Sequence, residues 1–194
     1  MYLLVMKTNN ALQTDFFPKR SKSYGGVLLN KRKNRTYARP ISTSKSMHLV
    51  LRSSKAVDEK SFKTPKNKKL IQEILVKFAH KYGVQIISLA NVGTHLHLHI
   101  KIAKRTGYLR FIRAVTSAIA MGVSGRNRWT MGSVQDGVRV KEKFWDYRPF
   151  TRIIEGFCAL LHMRDYIQIN QLEGLGVPRL QARIMLANVR PDRC

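Results

Sequence analysis

The stretch Thr94-His95-Leu96-His97-Leu98-His99-Ile100-Lys101-Ile102 decides the fold of this chain. Polar and apolar residues alternate along it, and successive side chains of a β-strand point to opposite faces of the sheet. The pattern therefore predicts a strand from His95 to Ala103. Its leucines and isoleucines enter a core, and its three histidines share the opposite face.

The flanking sequence predicts the remaining elements. Apolar periodicity indicates further strands at Met47–Arg52, 84–90 and 144–152, the last an edge strand because Pro149 cannot donate to a ladder. Helical spacing indicates helices at 66–82, 106–124 and 153–172, a short helix after Pro178, and a loop or small hairpin at 125–143. This order predicts an α+β fold, a ferredoxin-like or RRM-like antiparallel sheet packed with helices.

Net charge points to a nucleic-acid partner. Lys and Arg number 36 against 11 acidic residues, a formal net charge of +25. A charge of this size favours a polyanion as partner and a steep dependence of binding on salt. Ribosomal and nucleoid proteins share such a charge, so it names no activity. No apolar run approaches the roughly 20 residues that span a bilayer, so we expect no membrane partner.

The basic residues are dense at the N-terminus. Residues 1–45 contain ten of them and one acid, with no helical or strand period. We predict a flexible arm there that contacts DNA, although a solubilising tail fits the same composition. The residues expected to contact DNA in this arm are Lys31, Arg32, Lys33 and Arg35. The predicted catalytic domain then covers 46–176, and a short helix and tail cover 177–194.

The histidine face of the central strand predicts a metal site. Three of the six histidines of the chain fall within five residues, on one face. Neighbouring positions on that face lie ~6.5 Å apart, so two imidazoles can lean onto one ion. A polar strand face that happens to hold histidines is the alternative interpretation.

His95-Leu96-His97 reads as histidine, hydrophobic residue, histidine, and it follows a turn that contains Gly93. This pattern resembles the HUH single-tyrosine transposases, which include insertion-sequence transposases and their REP-associated relatives. Thr94 stands where that family usually has Asn, and His99 where an apolar residue is commoner. The resemblance covers roughly residues 46–175. His48 on the first strand matches a position where the family often has histidine, and a purely structural histidine fits equally well.

The family also carries a tyrosine on a late helix, followed four residues later by Asn or Gln. Tyr166-Ile167-Gln168-Ile169-Asn170 is similar to that pattern, and a spacing of four places Tyr166 and Asn170 one helical turn apart. The resemblance implies that Tyr166 is the catalytic nucleophile. It also implies that His95, His97 and Asn170 hold Mg²⁺ or Mn²⁺. The alternative for Tyr166 is an amphipathic residue at the edge of an apolar helix face.

The resemblance implies an enzyme, a metal-dependent transposase and endonuclease acting on single-stranded DNA. Cleavage would leave a 5′-phosphotyrosine and a free 3′-OH, and a second 3′-OH would reverse the step. The implied partner is single-stranded DNA, with a DNA hairpin and a homodimer both left open. The implied location is the bacterial cytoplasm, in association with the nucleoid when DNA is bound.

The aromatic and basic stretch before the tyrosine helix extends this expectation. Arg148 and Arg152 are candidates to hold DNA phosphates, and Trp145 to stack on a base. Core packing and solvated charge are the alternatives for these residues.

Two other functions fit the pattern. One is an HUH endonuclease that starts replication or mobilisation with the same site. The other is a non-catalytic, basic nucleic-acid-binding protein with a sheet platform, which would need aromatic residues where the histidines stand.

Overall fold

A computed structural model of the chain describes residues 39–125, 133–135, 138–140 and 143–189. The strands within those ranges are β1 (Met47–Arg52), β2 (Val84–Asn91), β3 (His95–Ile102), β4 (Ser133–Gln135), β5 (Val138–Val140) and β6 (Phe150–Ile153). β2, β3, β1 and β6 form one antiparallel sheet in that order. β4 and β5 form a separate two-stranded antiparallel hairpin, within the segment predicted to be a loop or hairpin.

The α-helices in the described ranges are α1 (Pro65–Tyr82), α2 (Arg105–Ser124), α3 (Phe157–Gly174) and α4 (Arg179–Val189). Without the small hairpin, the order along the chain is strand, helix, strand, strand, helix, strand, followed by α3 and α4. This arrangement confirms the predicted α+β fold of an antiparallel sheet packed with helices. α1 begins where the sequence gives a start signal, because Pro65 follows Thr64, whose hydroxyl accepts a hydrogen bond from the Asn67 N–H.

One face of the sheet carries the main hydrophobic core. The leucines and isoleucines of β3 are at most 1% exposed, and they pack under the apolar faces of α1 and α2. Phe111, Val115 and Ile119 of α2 are fully buried there. Complete burial of one such side chain contributes ~1.5–3 kcal/mol, so this face supplies most of the stability of the fold.

The tyrosine helix α3 packs against β2 and β3 on the opposite face. It begins four residues later than the sequence predicted, because Ile153 still belongs to β6 and Gly156 turns the chain at φ +85°. At its other end Gly174 lies so close to β2 that an added Cβ would stand 2.5 Å from the carbonyl oxygen of Asn91. Glycine at this position therefore allows α3 to approach the sheet edge.

The segment before β6 departs from the prediction of one long strand. The strand begins only at Phe150. The residues before it bend across the end of β1, where the Asp146 N–H donates to the Arg52 carbonyl and the Asp146 carboxylate accepts from the Ser54 N–H and hydroxyl. Pro149 marks the boundary because it lacks the N–H that a ladder needs.

Residues just before β1 contact the sheet. The Thr151 hydroxyl donates to the Pro40 carbonyl at 2.6 Å, and Ile41 packs against the core. The Arg39 guanidinium lies 5.1 Å from the centre of the Phe150 ring. None of the helices in the described part of the chain is long and apolar enough to cross a membrane.

Candidate metal and tyrosine site

The site lies on the face of the sheet opposite the main core. Alternation along β3 presents His95, His97 and His99 there, and the antiparallel register places His48 of β1 directly across from His99. His48, His97 and His99 are only 6%, 4% and 3% exposed. The strand that the sequence predicted therefore delivers three histidines to a largely desolvated surface, and the neighbouring strand adds a fourth.

Hydrogen bonds engage one nitrogen on each of the two HUH histidines. Nδ1 of His97 lies 3.1 Å from Nε2 of His48, and Nδ1 of His95 lies 3.0 Å from the Thr94 hydroxyl. Nε2 of His97 and Nε2 of His99 are buried and have no hydrogen-bond partner among the residues that the structure describes. A buried polar atom without a partner is costly, which makes each of these nitrogens a candidate for a ligand.

Burial keeps these imidazoles neutral. Desolvation, followed by the charges of His48, His95 and Arg179, lowers the pKa of His97 to about 3. Desolvation, followed by Arg152 and His99, lowers the pKa of His48 to about 4. Desolvation is also the largest cause lowering the pKa of His95 and of His99. Neutral imidazole is the form that binds a metal ion, because its unprotonated nitrogen keeps a lone pair.

Tyr166 lies over these histidines. Its ring centre is 5.3 Å from that of His97 and 5.6 Å from that of His48, and both contacts are edge to face. The small second core that holds α3 in place consists of Ala90, Ile154, Met163 and Ile167, with Tyr166 packed against it. The helix thus sets the predicted nucleophile beside the predicted metal ligand.

Asn170 is buried one turn after Tyr166, at 3% exposure. Its side-chain amide donates to the Tyr166 carbonyl at 2.6 Å. This hydrogen bond uses the amide nitrogen and orients the side chain, so the amide oxygen is the atom of Asn170 that has ligand chemistry.

The donor set fits a divalent ion with open positions. Within the described residues, no three His, Cys, Asp or Glu side chains are arranged to hold a metal between them. The two imidazoles and the amide oxygen expected from the sequence would make an incomplete shell for Mg²⁺ or Mn²⁺, which would leave positions for phosphate oxygens and water. The buried, unpartnered Nε2 of His97 is the feature of the structure that agrees with such an ion.

The predicted DNA-contacting residues fall into two groups. Arg152 is exposed on the site face, paired in register with His48, and Arg148 is exposed in the preceding loop. The residues of the predicted arm, Lys31, Arg32, Lys33 and Arg35, lie outside the described part of the chain. Trp145 is not available for base stacking, because it packs on Phe62 and donates its indole N–H to the Thr116 carbonyl.

The sequence analysis did not predict one charged pair that lies near the site. Arg179, at the start of α4, pairs with Glu173 at 3.0 Å, and these charges affect the pKa of His97 and of His95 respectively. The fold of α4 back along α3 brings the pair there, and no periodicity in the sequence signals that return.

The fold and the site together define a class, an α+β sheet whose histidine face is covered by a tyrosine-bearing helix. The sequence matches no family model. It also matches no curated protein sequence. Among solved structures, the chain is similar to a REP-associated tyrosine transposase bound to a REP hairpin, with a TM-score of 0.50 and 13% identity over 74% of this chain and 76% of that one. This similarity confirms the fold that the resemblance implied.

A second solved structure is a presumed transposase from Deinococcus radiodurans. Its TM-score is 0.41 at 16% identity, over 72% of this chain and 97% of that one.

Proposed function

We propose that this chain is a metal-dependent enzyme that cuts and rejoins single-stranded DNA through Tyr166. The observation that carries the proposal is the contact of the Tyr166 ring with His97, whose Nε2 is buried without a partner in the described part of the chain. The fold shared with a REP-associated tyrosine transposase supports it.

The chemistry of a tyrosine nucleophile accounts for both cutting and rejoining. The Tyr166 oxygen attacks the phosphorus atom, and the bond between phosphorus and the 3′ oxygen breaks. The phenol proton leaves to solvent, and the departing 3′ oxygen takes up a proton. The products are a 5′-phosphotyrosine and a free 3′-OH. Because the intermediate is itself a phosphodiester, now to the tyrosine oxygen, a second 3′-OH can reverse the step without ATP.

The remaining residues of the site would bind the metal ion and the DNA and orient the Tyr166 ring. His95, His97 and the Asn170 oxygen would hold Mg²⁺ or Mn²⁺, which, when bound, would withdraw electron density from the scissile phosphate. Arg152 stands beside His48 on the same face, where a guanidinium can hold a flanking phosphate. The packing of α3 orients the phenol ring over the histidines.

Charge and fold support a DNA substrate. The net charge of +25 favours a polyanion, and the structural neighbour was solved with a REP hairpin. We therefore propose single-stranded DNA that carries a hairpin as the substrate class.

The test is capture of the covalent intermediate. Purified protein is incubated with Mn²⁺ and a pool of single-stranded oligonucleotides, each with a hairpin flanked by randomised sequence, one dye at the 5′ end and another at the 3′ end. We expect an adduct that survives SDS and carries only the 3′ dye, because the 5′ phosphate of the downstream fragment stays on the protein. Tyr166→Phe should abolish this adduct while DNA binding, measured by fluorescence anisotropy, stays within about twofold.

Tyr82→Phe is the matched control, because Tyr82 lies on α1, on the other side of the sheet, and packs against the main core. It should form the adduct as the unchanged protein does. An adduct in the Tyr166→Phe protein would show that another tyrosine is the nucleophile. DNA binding with no adduct in any variant would support a non-catalytic binding protein instead.

A further inference from the structure

His48 lies outside the HUH motif, yet it lies within hydrogen-bond distance of His97. The register sets His48 opposite His99, but its ring reaches diagonally to His97. The two ring planes are 16° apart, and His48 Nε2 lies 3.1 Å from His97 Nδ1. Phe150 and Tyr166 present ring edges to His48 at 6.3 and 5.6 Å, so the ring is packed in place.

This contact has two chemical arrangements. A neutral imidazole carries one proton, on either nitrogen. If His97 holds its proton on Nδ1, it donates to His48 and keeps a lone pair on Nε2. If His48 is the donor, the His97 proton lies on Nε2, where it is buried and meets no acceptor within the described ranges. Only the first arrangement leaves His97 able to bind a metal ion.

We propose that His48 is a positioning residue that accepts a hydrogen bond from Nδ1–H of His97 and so directs the Nε2 lone pair into the site. The proposal rests on the proposed function, because it assumes that His97 is a metal ligand. Partners of this kind fix the tautomer and the ring orientation of ligating histidines, and their loss typically lowers metal affinity by about 10- to 100-fold.

The two HUH histidines differ in this respect. The partner of His95 is the Thr94 hydroxyl, which can donate or accept and therefore selects neither tautomer. His97 lies deeper, next to a packed aromatic ring. The structure thus assigns a preset orientation to His97 and an adaptable one to His95.

The first experiment reads the tautomer directly. The full chain is labelled with ¹⁵N-histidine and stripped of metal, and long-range ¹H–¹⁵N spectra are recorded at neutral pH. We expect His97 to carry its proton on Nδ1. A proton on Nε2 of His97 as the major form would overturn the proposal. This measurement needs no variant, so a folding defect cannot obscure it.

The second experiment measures Mn²⁺ affinity by isothermal titration. His48→Leu should weaken binding by about 10- to 100-fold, and His48→Gln should recover most of the loss, because the Gln carbonyl can accept from Nδ1–H. Circular dichroism checks that both variants fold. Wild-type affinity in His48→Leu, or equal losses in both variants, would contradict a hydrogen-bonding role.

A third measurement separates positioning from direct ligation. Electron spin echo spectra of Mn²⁺ bound to ¹⁵N-histidine protein count the coordinated imidazole nitrogens. The number should be the same in the unchanged protein and in His48→Gln, and a loss of one nitrogen would show that His48 is itself a ligand. If no adduct forms while His97 carries its proton on Nδ1 and Mn²⁺ binds normally, the proposed function is wrong. The role of His48 in orienting His97 would still hold.

Discussion

The two faces of β3 consist of alternating residues of one strand, yet one face forms the hydrophobic core and the other carries the histidines. Leu96, Leu98 and Ile100 enter a core cluster of 20 buried side chains, whereas the cluster under α3 on the histidine face has four. The cluster on the leucine face consists of hydrophobic side chains. On the histidine face, Nε2 of His97 and Nε2 of His99 are buried without hydrogen-bond partners from the described residues. The leucine face supplies most of the stability of the fold. The histidine face can therefore hold buried imidazoles, although their desolvation costs free energy.

The largest expected effect is on the leucine face. Leu98→Ala should lower the free energy of unfolding by about 4 kcal/mol, because it opens a cavity in the fully buried core. Urea denaturation at pH 7.5 measures it. His99→Ala, its neighbour on the other face, should cost less, because removal of a buried Nε2 without a partner among the described residues ends a desolvation cost that offsets the cavity. Equal losses in the two variants would remove the proposed division between the faces.

Acid should destabilise the metal-free protein through the histidine face. In the folded state the pKa values of His48 and His97 lie at about 4 and 3, below the ordinary 6.5. Below pH 6.5 these two histidines become protonated in the unfolded chain, whereas in the folded chain they stay neutral until the pH approaches their lowered pKa values. The free energy of unfolding is therefore highest above pH 6.5 and decreases as the pH falls toward the lowered pKa values. Between pH 7.5 and 5.5 the loss should be about 1.4 kcal/mol for each of the two histidines.

Denaturation in EDTA across this pH range checks the prediction. His97→Gln removes one of these groups, so the acid-dependent loss should shrink by about 1.4 kcal/mol, the contribution of His97. A loss of unchanged size in that variant would locate the acid sensitivity elsewhere in the chain.

Metal affinity should distinguish the histidines of β3 from one another. His95→Ala and His97→Ala should each weaken Mn²⁺ binding by at least about tenfold, or 1.4 kcal/mol, whereas His99→Ala should have a smaller effect, because the proposed site uses only the first two as ligands. Isothermal titration decides. A loss for His99→Ala that equals or exceeds the others would move the metal site two residues along the strand.

The smallest effect concerns residues 1–38, which contain eight Lys and Arg. Deleting them should weaken DNA binding and reduce its salt dependence, by about 0.7 in the logarithmic slope for each phosphate that the shortened chain no longer neutralises. Anisotropy at several salt concentrations measures the slope, and the adduct assay at saturating DNA should be unaffected. An unchanged slope would mean that this segment does not bind DNA.

The local sequence pattern was sufficient to predict the strands and helices whose bounds depend only on their own residues. β1 has the predicted bounds, and β3 and α1 differ from the prediction by one residue. The later segment was less predictable. α3 begins four residues beyond the expected start, and β6 is shorter than expected, because Gly156 and the contacts of Asp146 with the end of β1 set those boundaries. Such contacts join residues far apart in sequence and leave no periodic signal.

The sequence by itself determined the strand that carries the histidines, the face they share and the helical spacing of Tyr166 and Asn170, because strand and helix periods follow from backbone geometry. Only the tertiary structure decided that Tyr166 lies over His97, that His48 reaches His97 rather than its cross-strand neighbour, and that Trp145 belongs to the core. These contacts depend on which face α3 covers and on how far each ring extends. Packing among distant segments sets both, and no local pattern encodes either.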